Sequence, residues 1–274
     1  MAHGVRAMES VKQSLVLAAE NMEAAAAYVL AAGAAVVFSC PRPGEPERNE
    51  DAAAVVVVDE HTCALIVADG LGSTRNAADA ARLAVEAVRR SIEQARPHEL
   101  RSAILDGFEQ ANRAVLALGV GAATTLSVME VGPDGARGYH VGDSLILAVG
   151  QRGKIRFQNI AHSPVGYAVE AGVLSERQAM EHDERHIVSN VVGSSEMRIE
   201  LGPTVQLAPR DTILVASDGL SDNLRINEIV ETIRKGPLPQ AGQALITRCE
   251  SRMNDDSGAH PSKPDDLTFV LYRR

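Results

Sequence analysis

No tryptophan occurs in this chain, and aromatic residues as a class make up only 3% of it. That scarcity argues against stacking platforms for nucleobases or sugar rings. Cysteine is nearly absent too. Cys40, Cys63 and Cys249 are scattered, odd in number and free of any C-x-x-C pair. They form no disulfide framework, and a reducing, cytoplasmic compartment is expected. None has an arginine six residues on, since those positions hold Pro46, Asp69 and Asp255, so the loop of a cysteine-based phosphatase is missing. There is no basic surplus: the formal net charge is −9, which speaks against a nucleic-acid partner. The apolar stretch at 24–38 is alanine-rich and too short to cross a bilayer. Nor does it have the basic start of a signal peptide, so no membrane partner is expected.

The chain does have many short apolar runs separated by turn residues. Its 274 residues are enough for one large domain with a sizeable core. Residues 9–32 read as an amphipathic helix, with Val11, Leu15, Ala18, Met22 and Ala25 near helical spacing. We therefore expect an N-terminal helical extension over 1–33, packed on or next to a main domain over 34–274. A strand is expected at 34–39, and a hairpin around the polar turn Asp59-Glu60-His61-Thr62. After a break at Gly72, residues 76–95 and 99–118 have one apolar face each and predict two helices. A strand meander follows, then a helix at 175–182 within a mixed stretch, strands at 204–209 and 211–217, helices near 223–235 and 239–254, and a last strand. Roughly ten antiparallel strands are too many for one flat sheet. Two stacked sheets flanked by helices predict a four-layer α-β-β-α sandwich, an α+β fold.

Acidic residues stand at the ends of several strands: 49–51 in "NED", Asp69 in "ADGLG", Asp143 in "HVGDS", Asp218 in "SDGLSD", and Asp265 or Asp266 in "PDDLT". Each alone is ordinary turn or cap chemistry. If the ends converge, the carboxylates repel: two unit charges 4 Å apart cost about 4 kcal/mol at an effective dielectric of 20. Only protons or cations make that tenable. Oxygen donors without Cys or His at ligand spacing select hard ions such as Mg²⁺ or Mn²⁺. Gly70 leaves room for its carbonyl to reach one. Two such ions about 3.5–4 Å apart can activate a shared water, and phosphoester hydrolysis is the natural use.

The ordered series "RNEDA", "VADGLGS", "GAATTL", "HVGDS", "VASDGLSDN" and "DDLTFVL" closely resembles the motifs of the metal-dependent protein phosphatases, the type 2C serine/threonine phosphatases in their bacterial form. The stretch 161–196 resembles that family's flap, and the likeness spans about residues 34–273. It implies the same sandwich fold and hydrolysis of protein phosphomonoesters by a metal-bridging water, without a covalent phosphoenzyme. It also implies a phosphoprotein substrate, tied to a protein kinase or its targets. Asp69 would bridge two metals, with the Gly70 carbonyl on one of them, and Asp218 and Asp265 would hold the other. Glu50 and Asp51 match the acidic pair that binds metal directly or through water. Asp143 matches a ligand of a third, weaker ion in bacterial members. Asp69, Asp218 and Asp265 are thus the expected catalytic residues.

Several positions depart from the pattern. The usual phosphate-binding arginine is replaced by Pro46; Arg48 is the better substitute of the two nearby arginines, Arg42 being the other. Leu145 stands for the arginine after "GDS", Ala161 for the aspartate before "HS", and Leu71 for a general-acid histidine. "HDERH" at 182–186 spaces two histidines like a zinc protease motif, but Asp183 stands where that motif needs glutamate, and no third ligand follows. His140 and His162 read as structural or flap residues. The alternative function is a phosphatase-fold module that binds a phosphoprotein without turnover, motivated by the displaced arginine.

Overall fold

A computed structural model describes residues 9–10, 14–71, 76–119, 121–255, 257 and 260–274. The chain opens with strands β1 (Glu9–Ser10), β2 (Leu15–Ala18), β3 (Ala26–Leu30), β4 (Gly33–Cys40), β5 (Asp51–Val57) and β6 (Cys63–Leu71). Helices α1 (Asn76–Gln94) and α2 (Leu100–Leu118) follow, then β7 (Ala123–Thr124), β8 (Leu126–Gly132), β9 (Gly135–Val141), β10 (Leu145–Val149) and β11 (Ile155–Gln158). Two short helices, α3 (Pro164–Glu170) and α4 (Glu176–Met180), precede β12 (Glu200–Leu201) and β13 (Thr212–Ala216). The chain ends with α5 (Asp218–Ser221), α6 (Ile226–Ile233), α7 (Leu238–Met253) and β14 (Leu267–Arg273).

One sheet runs β1-β3-β4-β14-β13-β10-β11 and the other β12-β9-β8-β6-β5-β2, with β7 joined to β6. All pairings are antiparallel except the short β1–β3 contact. Alternation along the strands sets the layers, because successive side chains point to opposite faces. Val37, Val55, Leu65, Ile146, Val215 and Val270 meet between the sheets. Their neighbours Ala54, Ile66 and Val128 face outward onto α1 and α2, through Val88, Ile104 and Phe108. On the opposite side Val36, Phe38, Leu147 and Phe269 meet Ile229, Leu245 and Ile246 of α6 and α7. Phe38 and Phe269 pack there with ring centroids 5.7 Å apart. The result is the four-layer α-β-β-α sandwich.

The helix expected over 9–32 is not formed. Its described residues make β1, β2 and β3 instead, while Val11 lies outside the described residues, as does the break expected at Gly72. Alanine has the best helix propensity, but sheet edges decide here. Leu15–Ala18 pairs with β5 in one sheet, and Ala26–Leu30 turns tightly into β4 in the other. The helical extension expected over 1–33 is therefore corrected: its described residues supply a strand to each sheet. The strand expected at 204–209 is reduced to a single bridge from Val205 to Ala136, and Glu200–Leu201 pairs with β9. Among the described residues no helix is long and apolar enough to cross a membrane.

Candidate active site

The hairpin register brings the first two acids together. β5 and β6 pair so that Asp51 lies directly opposite Asp69, a like-charge cross-strand pair that would weaken an ordinary sheet. Asp51 is 1% exposed. Its Oδ2 accepts a 2.8 Å hydrogen bond from Ser217 Oγ, while Oδ1 is buried with no partner. Asp69 is held by its backbone. Its N–H donates to Thr125 Oγ1 at 2.9 Å, and its carbonyl accepts from Thr125 N–H and from Thr124 Oγ1, each at 2.8 Å. Gly70 follows, where a Cβ would collide with the Ala77 carbonyl at the start of α1 and sit 2.7 Å from the Glu50 carbonyl. The Asp-Gly pair thus answers two demands, a carboxylate at the strand end and close passage of the backbone beneath a helix.

Asp143 leaves β9 through Gly142, whose φ of +104° suits glycine. His162 grips that turn: its Nδ1 accepts from Gly142 N–H at 3.1 Å and its own N–H donates to the Gly142 carbonyl. Asp218 opens α5 immediately after β13. Asp265 precedes β14, and its Oδ1 accepts from Asp266 N–H at 3.0 Å. Asp266 does something else: its two carboxylate oxygens accept from Arg42 N–H (2.8 Å) and Glu50 N–H (2.6 Å). It ties the 42–50 loop to the last strand, in keeping with Asp265 rather than Asp266 as the outward-facing acid.

Electrostatics show how close these ends are. Burial, with the charge of Asp51 and then those of Asp218, Asp265 and Asp143, pushes the Asp69 carboxyl well above its ordinary range. Burial and Asp266 raise Asp51 in the same way. Burial, backed by Asp218 and Asp222, brings Asp143 up to about 8. Strand ends from both sheets therefore share one field. Without cations, such a cluster holds protons.

Arg48 stands at the rim, where Nε and Nη2 donate to Glu50 Oε1 at 2.9 and 2.8 Å. Arg42 is engaged with Glu45 at 2.6 Å. A cleft of about 380 Å³ lies beside Asp143, walled by Leu145, Ile160, Val169, Met180 and Leu224. Its roof is the flap with α3 and α4. The 182–186 segment forms exposed turns rather than a helix, with Glu184 N–H bonded to His182 Nδ1.

Two residues were missed from the sequence. Asp222 lies four residues after Asp218 on one helical turn, and that spacing was readable in "SDGLSDN". Burial and Asp218 raise its carboxyl to about 6. Lys263 had no signal in the sequence. Its Nζ lies 2.8 Å from Asp218 Oδ2, 2.8 Å from Asp222 Oδ2 and 3.0 Å from Asp265 Oδ2. Burial works against its charge, but the three acids outweigh that and keep it protonated well past its ordinary range.

Among the described residues, the His/Cys/Asp/Glu trio that closes to within 4.8 Å as a candidate metal site is His140, His162 and Glu200. Three of its four ring nitrogens are committed, and His140 Nδ1 is buried without a partner. His162 Nδ1 serves Gly142 and Asn190, its Nε2 pairs with Glu200, and His140 Nε2 bonds the Ile160 carbonyl. The two rings stack at 4.3 Å. This is a brace under the Asp143 turn. The aspartates, gathered around one ammonium with Asp51 Oδ1 unpartnered, are the donor set that suits hard cations.

The protein phosphatase 2C family matches residues 42–252. Protein phosphatase PhpP of Streptococcus pneumoniae is similar, 29% identical over 195 residues that cover 66% of this chain and 77% of its own. The serine/threonine phosphatase of S. agalactiae shares the fold with a TM-score of 0.72 at 25% identity, over 87% of this chain and 99% of that one. The catalytic domain of the phosphatase PstP, in complex with two manganese ions, gives a TM-score of 0.70 at 20% identity, over 87% and 96% of the two chains. The chain belongs to the protein phosphatase 2C family of serine/threonine phosphatases.

Proposed function

We propose that this phosphatase hydrolyses phosphoserine and phosphothreonine esters on proteins with two divalent cations, Mn²⁺ or Mg²⁺, held by the strand-end carboxylates. The observation that carries it is the convergence of Asp51 and Asp69, opposite one another, with Asp218 and Asp265 from the other sheet. Asp51 Oδ1, buried and without a hydrogen-bond partner, suits a hard cation as its counterpart. The two manganese ions in PstP support the same reading. Asp69 would touch both ions and the Gly70 carbonyl one of them. Asp218 and Asp265 would serve one side, with Glu50 and Asp51 on the other, directly or through water. Asp143 would belong to a weaker third position.

Bound there, such ions supply Lewis acidity and lower the pKa of an attacking water. The rest falls to the chain. Ser217 fixes the rotation of Asp51, and Thr124 and Thr125 fix the backbone of Asp69. Asp266 holds the Glu50 loop in register with β14. Arg48, which donates to Glu50 beside the acids, would grip the substrate phosphate. Water attacks phosphorus directly, and no phosphoryl-enzyme forms; trapping one would overturn this mechanism. The binding-module alternative gains nothing here, since the acidic set is complete and the matched relatives are named as phosphatases.

The direct test is phosphate release from a phosphothreonine peptide and from p-nitrophenyl phosphate, with Mn²⁺, with Mg²⁺ and with chelator. Release that ignores chelator would refute the metal reading. For Arg48→Ala we expect the peptide KM to rise about 5–50-fold with kcat nearly unchanged, the pattern for a residue that binds ground and transition states alike. A fall in kcat at constant KM would mean that Arg48 acts through Glu50 instead.

A further inference from the structure

Lys263 is built into the acidic centre. One buried side chain, Asn223, clamps its backbone on both sides: Asn223 Oδ1 accepts from Lys263 N–H at 2.9 Å, and Asn223 Nδ2 donates to the Lys263 carbonyl at 2.8 Å. The same amide donates to the Gly219 carbonyl at 2.9 Å, so the lysine is locked to the α5 turn that presents Asp218. Pro264 follows and fixes the next backbone angle. From the flap, Arg185 Nη2 reaches the Ser262 carbonyl, closing the loop from outside. The side chain is 23% exposed. Its ammonium has three N–H donors and three carboxylates around it, at 2.8, 2.8 and 3.0 Å.

A carboxylate oxygen can serve an ammonium and a divalent ion at once, but the two cations cannot occupy the same space between Asp218 and Asp222. A magnesium-sized ion needs their oxygens at about 2.0–2.1 Å, inside the volume that Nζ fills. Asp222 matters most here. It is not needed for the two-ion site, yet it faces both Asp218 and Asp143. Asp143, Asp218 and Asp222 would together make the weaker third position.

We propose that Lys263 is a tethered cation that occupies this third position, so that the phosphatase works with two divalent ions and one ammonium. The inference rests on the two-ion reading above. Asp218 keeps its second oxygen, Oδ1, for the ion pair, and Asp265, whose Oδ1 accepts from Asp266 N–H, would offer Oδ2 to the lysine and to its ion together. The third positive charge is thus supplied at all metal concentrations. Activation by a loosely held extra ion is lost as a means of control.

Equilibrium dialysis against Mn²⁺ with elemental counting tests this without reference to turnover. The wild-type chain should bind two ions. K263M should bind three, and K263R, which keeps the charge, two. Three ions in the wild type would overturn the tethered cation and leave the two-ion reading standing. Two in K263M would also overturn it. No manganese in any of these proteins would overturn the two-ion reading and this inference with it. In case K263M misfolds, an amine-reactive label read by mass spectrometry gives a second measure on the unaltered chain. At saturating Mn²⁺, Lys263 should stay unlabelled while the exposed Lys154 and Lys235 react. Labelling of Lys263 that grows as manganese loads would show it displaced and would refute the proposal.

Discussion

Asp69→Asn is expected to lower metal-dependent phosphate release by at least about 10²–10³-fold, the usual scale for removing one group that stabilises transition-state charge, while leaving the fold intact. The substitution is nearly isosteric. The backbone bonds that hold position 69, from Thr124 and Thr125, do not involve its side chain. It also removes one charge from a site where Asp51, Asp218, Asp265 and Asp143 all disfavour ionisation. The metal-free variant should therefore melt no lower than the wild type. Differential scanning gives a second readout. A ligand at a hundred times its Kd stabilises by about 2.7 kcal/mol, worth roughly 5–10 °C in a chain of this size. The wild type should show such a rise with Mn²⁺, and the variant much less. Normal turnover in the variant would remove Asp69 from the bridging position. Lost turnover with an undiminished manganese shift would mean that it acts on substrate rather than on metal.

The metal-free protein should lose stability as pH rises from 6.5 to 8. Asp143 is held to about 8 and Asp222 to about 6, both above the ordinary 3.8 of aspartate. Below those values the native state keeps protons that the unfolded chain has already released, so raising the pH favours unfolding. His140 pulls the other way. Burial, with His162 next, lowers it to about 4 from an ordinary 6.5, so its contribution rises with pH between those values and is complete above them. Lys263 is charged throughout and adds no slope. The window above 6.5 therefore isolates the acids. Asp143 alone accounts for about 2 kcal/mol across it at 1.4 kcal/mol per unit, or roughly 5 °C. Saturating Mn²⁺ should flatten or reverse the trend. A melting temperature in chelator that stays level or climbs from pH 6.5 to 8 would contradict the shared acidic field.

Some of this was legible beforehand because the signals were local. The β5–β6 hairpin follows from two apolar runs around Asp59–Thr62, although a four-residue turn there would set Asp51 against Gly70; the observed pairing of Val57 with Cys63 shifts it by one residue, against Asp69. The acids of the site were readable because each abuts a buried strand. Helices α1 and α2 declared themselves by one apolar face each. α3 was missed although Ser163 caps it, accepting from Gly166 N–H, and Pro164 begins it, which is a standard start signal. What could not be read was long-range. The three partners of Lys263 come from two loops some 40 residues apart. The residues 15–30 look helical until β4 and β5 are there to receive them.

That last feature has a bearing on solubility. β2 borders β5 and β3 covers β4, so residues 15–30 close a long edge of each sheet. A chain begun after Leu30 would keep every acid of the active site and still present two open ladders of unpaired amide and carbonyl groups. Such edges template pairing with another copy. The N-terminal strands are thus the molecule's guard against aggregation, and the turn after β2 also braces the acidic loop, since Ala19 N–H donates to the Asp51 carbonyl and Asn49 Nδ2 to the Glu20 carbonyl.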